Sequence, residues 1–342
     1  MSLKDIAKEV GVSVSTVSRV LNTEGTSAAS KELQARIWDT ARRQGYVPNA
    51  TARALKWAAD PRPPEVRPLY CMYACPPQET KDDLFYTLLA GIIEREAFKN
   101  NYLLHYTFSA VDLDSPNLQQ TFRATPSDAL VMLGRFESDL LRRVRRNFKK
   151  VIYIGLNELD VHCDQVICNG FDIARSSVEY FYGLNHRRIG YVGCHEGRYA
   201  GYCAALQALG LPYDPRYVVD DAVLSMEGGY QAMLRLLDRT REVTAVFCGN
   251  DMVAIGALRA CKDRGLRIPQ DISLMGVNDI ENVQYTSPML SSVHVPLDEM
   301  GKMAFHILQD RINGGHSSCV KVEFPFSIVR RESIARLPEP DE

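Results

Sequence analysis

The sequence has no long hydrophobic run and no secretory leader. None of its apolar stretches approaches the roughly 20 residues that a helix needs to cross a bilayer. The first residues, MSLKDIAKEVG, lack the apolar core of a signal peptide. We therefore expect a protein of the cytoplasm with no membrane partner.

Cysteine pairs at metal-binding spacing are also absent. The nine cysteines include no CxxC motif, and an odd number without a leader argues against a disulfide framework. Two small groups, His162 with Cys163 and Cys168, and Cys194 with His195, lack a second ligand pair at finger-like spacing. We expect no metal ion and no cofactor.

Signature motifs of the common enzyme classes are missing as well. The chain has no GxSxG elbow, no GxxxxGK[ST] loop and no GxGxxG after a first strand. No pair of acidic residues is placed so as to indicate a glycosidase. Because a fold does not decide function by itself, these absences favour a binding protein over an enzyme.

Charge is balanced over the whole chain but uneven along it. The 40 basic and 42 acidic side chains give a net charge of −2. Residues 1–56 carry nine basic and five acidic side chains, so this segment is +4 and the remainder is −6. A basic end is typical of nucleic-acid binding, although a solvated helical face would produce the same excess.

A proline-rich stretch divides the sequence into two parts. Residues 58–68 contain four prolines and no apolar periodicity, as is typical of a linker. The part before it is predicted to form short helices. The part after it alternates short apolar runs with amphipathic helices, which indicates parallel sheets covered on both faces. Its length favours two lobes, with a ligand cleft beyond the carboxyl ends of the strands.

The first 44 residues predict a helix-turn-helix unit. Leu3, Ile6, Ala7 and Val10 give a first helix one apolar face, and Gly11 ends that helix. Ser13 is suited to cap a second helix. The inward residues of the second and third helices complete a small core: Val17, Val20, Leu21, Leu33, Ile37, Trp38 and Ala41. In such a unit the start of the second helix enters the major groove of DNA.

The motifs LKDIAKEVGVSVSTVSRVLN and GYVPNATARALK resemble the head of the LacI/GalR family of regulators. The resemblance implies that Val14, Ser15 and Arg19 read base edges, with Arg19 paired to a guanine. It also implies that Thr16, Ser18 and Asn22 contact phosphates. An alternative for Ser15 and Thr16 is that they merely favour the start of a helix.

Residues 49–57 are similar to the hinge helix of that family. A segment of this length does not form a stable helix in isolation, so we expect it to become helical when two copies pair on DNA. Leu55 occupies the family's position for a wedge into the minor groove, and Ala52 is small enough for close approach of two hinges. The alternative is that Leu55 simply packs on the linker. The predicted boundaries are a helix-turn-helix domain at 1–48, a hinge at 49–57, a linker at 58–67 and a core at 68–337.

The core is similar throughout to the two-lobed, periplasmic-binding-protein-like part of the same family. The motifs are HRRIGYVG, GRYAGYCAAL, CGNDMVAIGALRA, PQDISLMGVNDIE and VRRES. The stretches around residues 73–92 and 273–291 resemble the family branch that represses the evolved β-galactosidase operon. The predicted fold is therefore a small all-α head followed by an α/β two-lobed core of doubly wound parallel sheets.

The resemblance implies a saccharide effector in the cleft. Arg198 offers a fixed fork of donors to sugar hydroxyls, and Asn250 and Asn278 can each donate and accept hydrogen bonds. At the position of Asn278 the lactose repressor has an aspartate. Because an amide lacks the charge of an aspartate, the identity of the sugar stays open. Four further residues are predicted as aromatic walls and an apolar floor: Tyr73, Tyr202, Leu297 and Met300.

Several of these residues have alternative interpretations. Arg198 can form a salt bridge across the cleft without touching a sugar, and Tyr202 can belong to the core. Asp251 is interpreted as a helix cap and Asp279 as a turn residue.

We thus expect a homodimeric repressor that binds a pseudo-palindromic operator and is released from it by a saccharide, with a β-galactoside as the candidate. The alternative is a regulator of the same family that needs a corepressor, the role that a purine has in one branch of the family.

Overall fold

The computed structural model describes residues 3–22, 30–43, 66–74, 84–135 and 138–339. The chain divides into two compact units, Met1–Glu65 and Val66–Glu342. Within the described ranges no helix is long and apolar enough to cross a membrane. In the same ranges no group of three or more His, Cys, Asp or Glu side chains is arranged to hold a metal ion.

The described part of the first unit forms three helices: α1 (Leu3–Val10), α2 (Val14–Asn22) and α3 (Lys31–Arg43). Gly11 ends α1 with a φ of 76°, a conformation that glycine adopts without steric cost. The hydroxyl of Ser13 accepts a hydrogen bond from the Thr16 amide at 3.1 Å and so caps α2, as the sequence predicts. The helices pack around a small apolar core of Ile6, Ala7, Val10, Val17, Val20, Ile37 and Ala41.

The described residues of the second unit form two six-stranded sheets. The first sheet has the order β11-β5-β4-β3-β1-β2, and all of its paired strands are parallel. Its strands are β1 (Arg67–Ala74), β2 (Tyr102–Ser109), β3 (Ala129–Gly134), β4 (Lys150–Gly155), β5 (Asp164–Ile167) and β11 (Lys321–Glu323).

The second sheet has the order β12-β10-β9-β8-β6-β7 and is parallel except where β12 pairs with β10. Its strands are β6 (Ile189–Val192), β7 (Val218–Val219), β8 (Ala245–Cys248), β9 (Ser273–Asn278), β10 (Ser291–His294) and β12 (Ser327–Val329).

In the described part of this unit, eight helices accompany the strands: α4 (Leu84–Lys99), α5 (Pro116–Ala124), α6 (Ser138–Val144), α7 (Gly170–Gly183), α8 (Gly197–Ala208), α9 (Met226–Arg239), α10 (Asp251–Asp263) and α11 (Leu297–Ile312). Short 3-10 turns lie at Ala110–Asp112, Pro215–Tyr217 and Glu281–Tyr285. The central strands are apolar on both faces because helices cover both sides of each sheet, as a parallel sheet requires.

The chain passes between the two sheets three times, so each sheet is the centre of one lobe. The crossings lie between β5 and β6, between β10 and β11, and between β11 and β12. Helix α11 follows a strand of the second lobe but packs on α4, β4 and β5 of the first. A region where three segments connect two lobes lets the lobes change their relative angle without breaking either sheet.

Candidate functional site

The first turn of α2 presents the predicted base-reading side chains. Val14 has 40% of its surface exposed, although it is apolar, and Ser15 is exposed beside it. The Ser13 hydroxyl lies 2.7 Å from that of Ser15 and 2.8 Å from that of Thr16. Ser15 and Thr16 therefore take part in the helix start, as the alternative interpretation requires, while Ser15 stays exposed at the position that faces a groove in such units.

The other predicted DNA contacts are less fully described. Ser18, Arg19 and Asn22 follow along α2. The hinge residues Ala52 and Leu55 lie outside the described residues. Their roles therefore remain predictions from the sequence.

In the second unit, a polar cluster joins the two lobes at the carboxyl ends of their strands. Arg135 directly follows β3 and Asn157 follows β4, both in the first lobe. Glu196 directly precedes α8 in the second lobe. The guanidinium of Arg135 lies 3.7 Å from the Glu196 carboxylate, and the Asn157 amide donates to that carboxylate at 3.2 Å. The cluster therefore lies across the interlobe cleft.

Arg198 holds the same carboxylate from the second lobe. Its guanidinium contacts Glu196 and donates to the carbonyl of Gly249, which follows β8. The side chains of Arg198 and Glu196 are only 4% and 8% exposed. Burial alone would raise the pKa of Glu196, but the charges of Arg198 and Arg135 outweigh burial and leave this pKa below its usual range. Glu196 is thus a buried carboxylate between two guanidinium groups.

The predicted effector residue Asn250 is the N-cap of α10. Its side-chain oxygen accepts from the Val253 amide at 2.8 Å, and its amide group donates to the Leu224 carbonyl at 3.4 Å. The sequence assigned the cap to Asp251, which is wrong. Asp251 is fully buried and instead accepts from the Ile280 amide at 2.9 Å and contacts the Ser292 hydroxyl at 2.5 Å.

Asn278 ends β9 beside a cavity of about 480 Å³. Its backbone has a φ of 111°, and its buried side-chain oxygen has no hydrogen-bond partner among the described residues. Asp279 follows with a φ of 56°, and its carboxylate accepts a hydrogen bond from Arg331 at 2.6 Å. The cavity is lined by α4 of the first lobe and by the segments after β9 and β10, including Leu88, Ile92, Asn278, Pro296 and Leu297. An unsatisfied buried acceptor at a cavity is a place where a ligand donor gains a full hydrogen bond.

Two of the four predicted wall and floor residues keep accessible surface. Leu297 is half-buried at the start of α11 and lines the same cavity. Tyr73 is half-buried near the end of β1 and packs against the main core. Both lie at the edges where the predicted cleft is located.

The structure contradicts the predicted roles of Tyr202 as a wall and Met300 as a floor of the cleft. Tyr202 is completely buried and its hydroxyl donates to the Ile189 carbonyl at 2.8 Å, so neither ring face is open to a sugar. Tyr202 therefore takes its alternative role as a core residue. Met300 is also completely buried, on the face of α11 that packs into the main core.

Sequence reasoning missed Arg135, Asn157 and Glu196. The available signal was positional, since Arg135 and Asn157 follow first-lobe strands at the edge where ligands bind. Glu196 lies two residues before the predicted Arg198. These residues are separated along the chain, and only the folding of both lobes brings them together.

A helix-turn-helix unit joined to a two-lobed core with a polar cleft defines a class of protein, the DNA-binding regulators that respond to a small molecule. Comparison with known proteins agrees with this class. Residues 2–49 match the family of bacterial regulatory proteins, lacI family. Residues 178–334 match a periplasmic binding protein-like domain.

Similar proteins cover nearly the whole chain. The HTH-type transcriptional repressor PurR of Photorhabdus laumondii subsp. laumondii is 29% identical over 98% of both chains. A solved complex of the transcriptional regulator CelR with cellobiose has a TM-score of 0.71 at 23% identity, and covers 97% of this chain and 99% of that one. The lac repressor dimer, bound to operator and the anti-inducer ONPF, has a TM-score of 0.68 at 19% identity, and covers 98% and 99%.

The chain thus carries a lacI-family regulatory domain followed by a periplasmic binding protein-like domain, and over nearly its whole length it is similar to LacI-family repressors. It is a DNA-binding repressor with a ligand-binding core, and it is not an enzyme.

Proposed function

We propose that this repressor responds to a saccharide bound between the core lobes, which lowers its affinity for the operator. The observation that carries the proposal is the Glu196 carboxylate held between Arg135 of the first lobe and Arg198 of the second. Carboxylate and guanidinium groups offer paired acceptors and donors, which match the vicinal hydroxyls of a sugar. Asn157 and Asn278, each with an unpartnered buried side-chain oxygen, supply further acceptors.

The same cluster provides a mechanism. Because it joins the two lobes, hydroxyls that insert between Arg135 and Glu196 change the contact that fixes the lobe angle. An effector changes an equilibrium only through its different affinity for two states. A coupling of about 1–3 kcal/mol, which is typical of allostery, lowers operator affinity about 5–150-fold. Such a loss matters where non-specific DNA competes for the repressor.

On the DNA side, we propose that two copies bind the two halves of a pseudo-palindrome. In each copy Val14, Ser15 and Arg19 read bases, and Thr16, Ser18 and Asn22 contact phosphates. Leu55 enters the central minor groove, and Ala52 permits the two hinges to approach. We keep the boundaries 1–48, 49–57, 58–67 and 68–337 for the head, hinge, linker and core, and assign the protein to the cytoplasm at the nucleoid.

The homodimer is supported by apolar surface on each core lobe. In the first lobe, the 74% exposed Phe98 lies beside Leu103 in a groove of about 370 Å³. In the second lobe, Met226 and Ile255 line a groove of similar size between α9 and α10. Exposed apolar patches of this kind are typical of protein interfaces. We propose that a second copy covers both grooves.

The test is operator retention by the purified protein on DNA from upstream of its own gene, titrated with lactose, galactose and other sugars. Salt concentration is held constant, because phosphate contacts make DNA affinity strongly dependent on ionic strength. Release by a sugar supports the inducer proposal. Loss of sugar binding by Arg198→Ala in calorimetry, but not by Arg267→Ala, which changes an exposed arginine of the second lobe, supports the assigned site. If Arg198→Ala retains full affinity, the assigned site is wrong.

A second candidate is a corepressor that strengthens operator binding. It is favoured by the full-length similarity to PurR, which is a repressor of the same family. A purine in the same titration distinguishes the two candidates. Tightening of the operator complex by a purine contradicts the sugar-inducer proposal and supports the second candidate.

A further inference from the structure

Two cysteines closely precede the neighbouring strands β5 and β11 at the edge of the first sheet, away from the polar cluster described above. Cys163 immediately precedes β5 and is 4% exposed. Cys319 lies two residues before β11 and is half-buried. Both are free thiols.

The strand register aligns these cysteines. Strands β5 and β11 are parallel, with Gln165 opposite Lys321. Extending this register by two residues brings Cys163 opposite Cys319, on the same face as the Gln165–Lys321 pair, because side chains alternate with a period of two. Adjacent strands lie about 4.8 Å apart, which is within the roughly 4.4–6.8 Å between Cα atoms that a disulfide requires.

A buried ion-pair network holds the segment that carries Cys319 against β5. The carboxylate of Asp164 is completely buried and accepts from Arg311 at 2.7 Å and from the Val320 amide at 2.9 Å. His316 lies 3.3 Å from the same carboxylate. Because Asp164 follows Cys163 and Val320 follows Cys319, the network fixes the backbone next to each thiol.

The two thiols have different environments, which assigns their chemical roles. Burial, followed by the neighbouring Cys319 thiol, raises the pKa of Cys163 to about 12. A thiol with so high a pKa is a poor first nucleophile near neutral pH. Cys319 is more exposed and therefore meets an oxidant from solvent first, whereas Cys163 is positioned to resolve the product.

We propose that Cys163 and Cys319 form a reversible disulfide in response to a hydroperoxide. The Cys319 thiol loses its proton, and the thiolate attacks the hydroperoxide and breaks the O–O bond. Cys319 becomes a sulfenic acid, and the released alkoxide or hydroxide takes up that proton and leaves as the alcohol or water. The Cys163 sulfur then attacks Cys319, the S–S bond forms and water leaves. In total two thiols lose two electrons and two protons, and the hydroperoxide is reduced. Disulfides in reducing compartments are typically of this transient, redox-sensing kind.

The proposed disulfide lies next to a segment that connects the two lobes, so it is expected to affect the lobe angle. Strand β11 leads directly into the third crossing between the lobes, from Glu323 to Ser327. A disulfide at the start of β11 fixes the first-lobe end of this crossing to β5. Oxidation is therefore expected to restrict the change in lobe angle and to reduce the response to an effector.

The test treats the full-length protein with hydrogen peroxide, alkylates the remaining thiols and identifies linked peptides by mass spectrometry. We expect a Cys163–Cys319 linkage, loss of two of the nine thiols and complete reversal by dithiothreitol. Cys319→Ser should abolish the linkage, whereas Cys203→Ser, which changes a half-buried thiol of the second lobe, should not. Because Cys163→Ser changes a buried position, Cys319→Ser is the decisive variant.

Linkage of other cysteines, or over-oxidation of Cys319 without a linkage, would overturn the proposal. This readout does not involve DNA or an effector, so it stands or fails independently of the proposed repressor function. A second readout is thermal unfolding, in which the oxidised protein should have a higher Tm than the reduced protein. Oxidised and reduced Cys319→Ser should have equal Tm values.

Discussion

Arg135 of the first lobe lies 3.7 Å from Glu196 of the second, across the cleft that separates the two sheets. Their contact is reinforced by Asn157 from the first lobe and by Arg198 from the second. The contact connects the two lobes, and the proposed function makes the same cluster part of the effector site. If that proposal is right, a ligand that enters the cluster changes the contact that fixes the lobe angle.

Glu196→Gln is predicted to weaken both stability and effector response. Removing one partner of a buried ion pair leaves uncompensated charge, which typically costs about 3–5 kcal/mol. We expect a lower free energy of unfolding and a loss of at least about tenfold in effector affinity, measured by urea denaturation and calorimetry. Glu242→Gln removes an acidic group that is half exposed, and is expected to change neither quantity appreciably.

The role of Tyr202 can be separated from sugar binding by Tyr202→Phe. The substitution removes the hydrogen bond to the Ile189 carbonyl and keeps the ring in the core. We expect a loss of about 0.5–1.5 kcal/mol in the free energy of unfolding and no change in effector affinity. Tyr199→Phe, on the exposed side of the same helix, is the control. A selective loss of effector affinity in Tyr202→Phe would mean that the Tyr202 hydroxyl contributes to effector binding.

The layered α/β core could be predicted from the sequence because its central strands are short apolar runs. The run around Ala245–Cys248 is completely buried, and such strands carry a strong local signal. Strands β5, β7, β10, β11 and β12 were not predicted. Segments such as Ser291–His294 and Lys321–Glu323 are short and partly polar, so their strand character depends on pairing with neighbours.

The candidate site could be predicted only in part. Arg198 could be predicted because a motif marks it, whereas Arg135, which contacts the same Glu196 carboxylate, is brought to the cleft by the fold of the other lobe. Tyr202 was wrongly predicted to line the site. Its helical spacing from Arg198 predicts a neighbour in the site, yet the helix rotates it towards the core. Local spacing does not determine which side of a helix a tertiary contact will bury.

Ser13→Ala is predicted to weaken the head and, with it, DNA binding. The Ser13 hydroxyl caps α2 through the Thr16 amide, and loss of an N-cap typically costs about 1 kcal/mol. Both tryptophans, Trp38 and Trp57, belong to the first unit, so tryptophan fluorescence in urea monitors this unit selectively. We expect a lower urea midpoint and weaker operator binding.

The matched control for this change is Ser30→Ala, which removes the hydrogen bond from the Leu33 amide near the start of α3. Similar destabilisation in both variants, with a larger loss of operator affinity in Ser13→Ala, would support the role of α2 as the reading helix. Equal losses of operator affinity would mean that only the stability of the head matters.

Asp251 should make the stability of the core depend on pH. Burial raises the pKa of this carboxyl to about 8 in the folded protein, against 3.8 for the ordinary side chain. The folded state therefore binds the proton more tightly than the unfolded state, and stability falls as pH rises from about 4 to about 8. One such group changes the free energy of unfolding by up to about 1.4 kcal/mol per pH unit.

Asp251→Asn should remove this slope in urea denaturation between pH 5 and pH 8, whereas Asp263→Asn, at the exposed end of the same helix, should keep it. An unchanged slope in Asp251→Asn would mean that the carboxyl is already ionised in the folded core, stabilised by the Ile280 amide and the Ser292 hydroxyl.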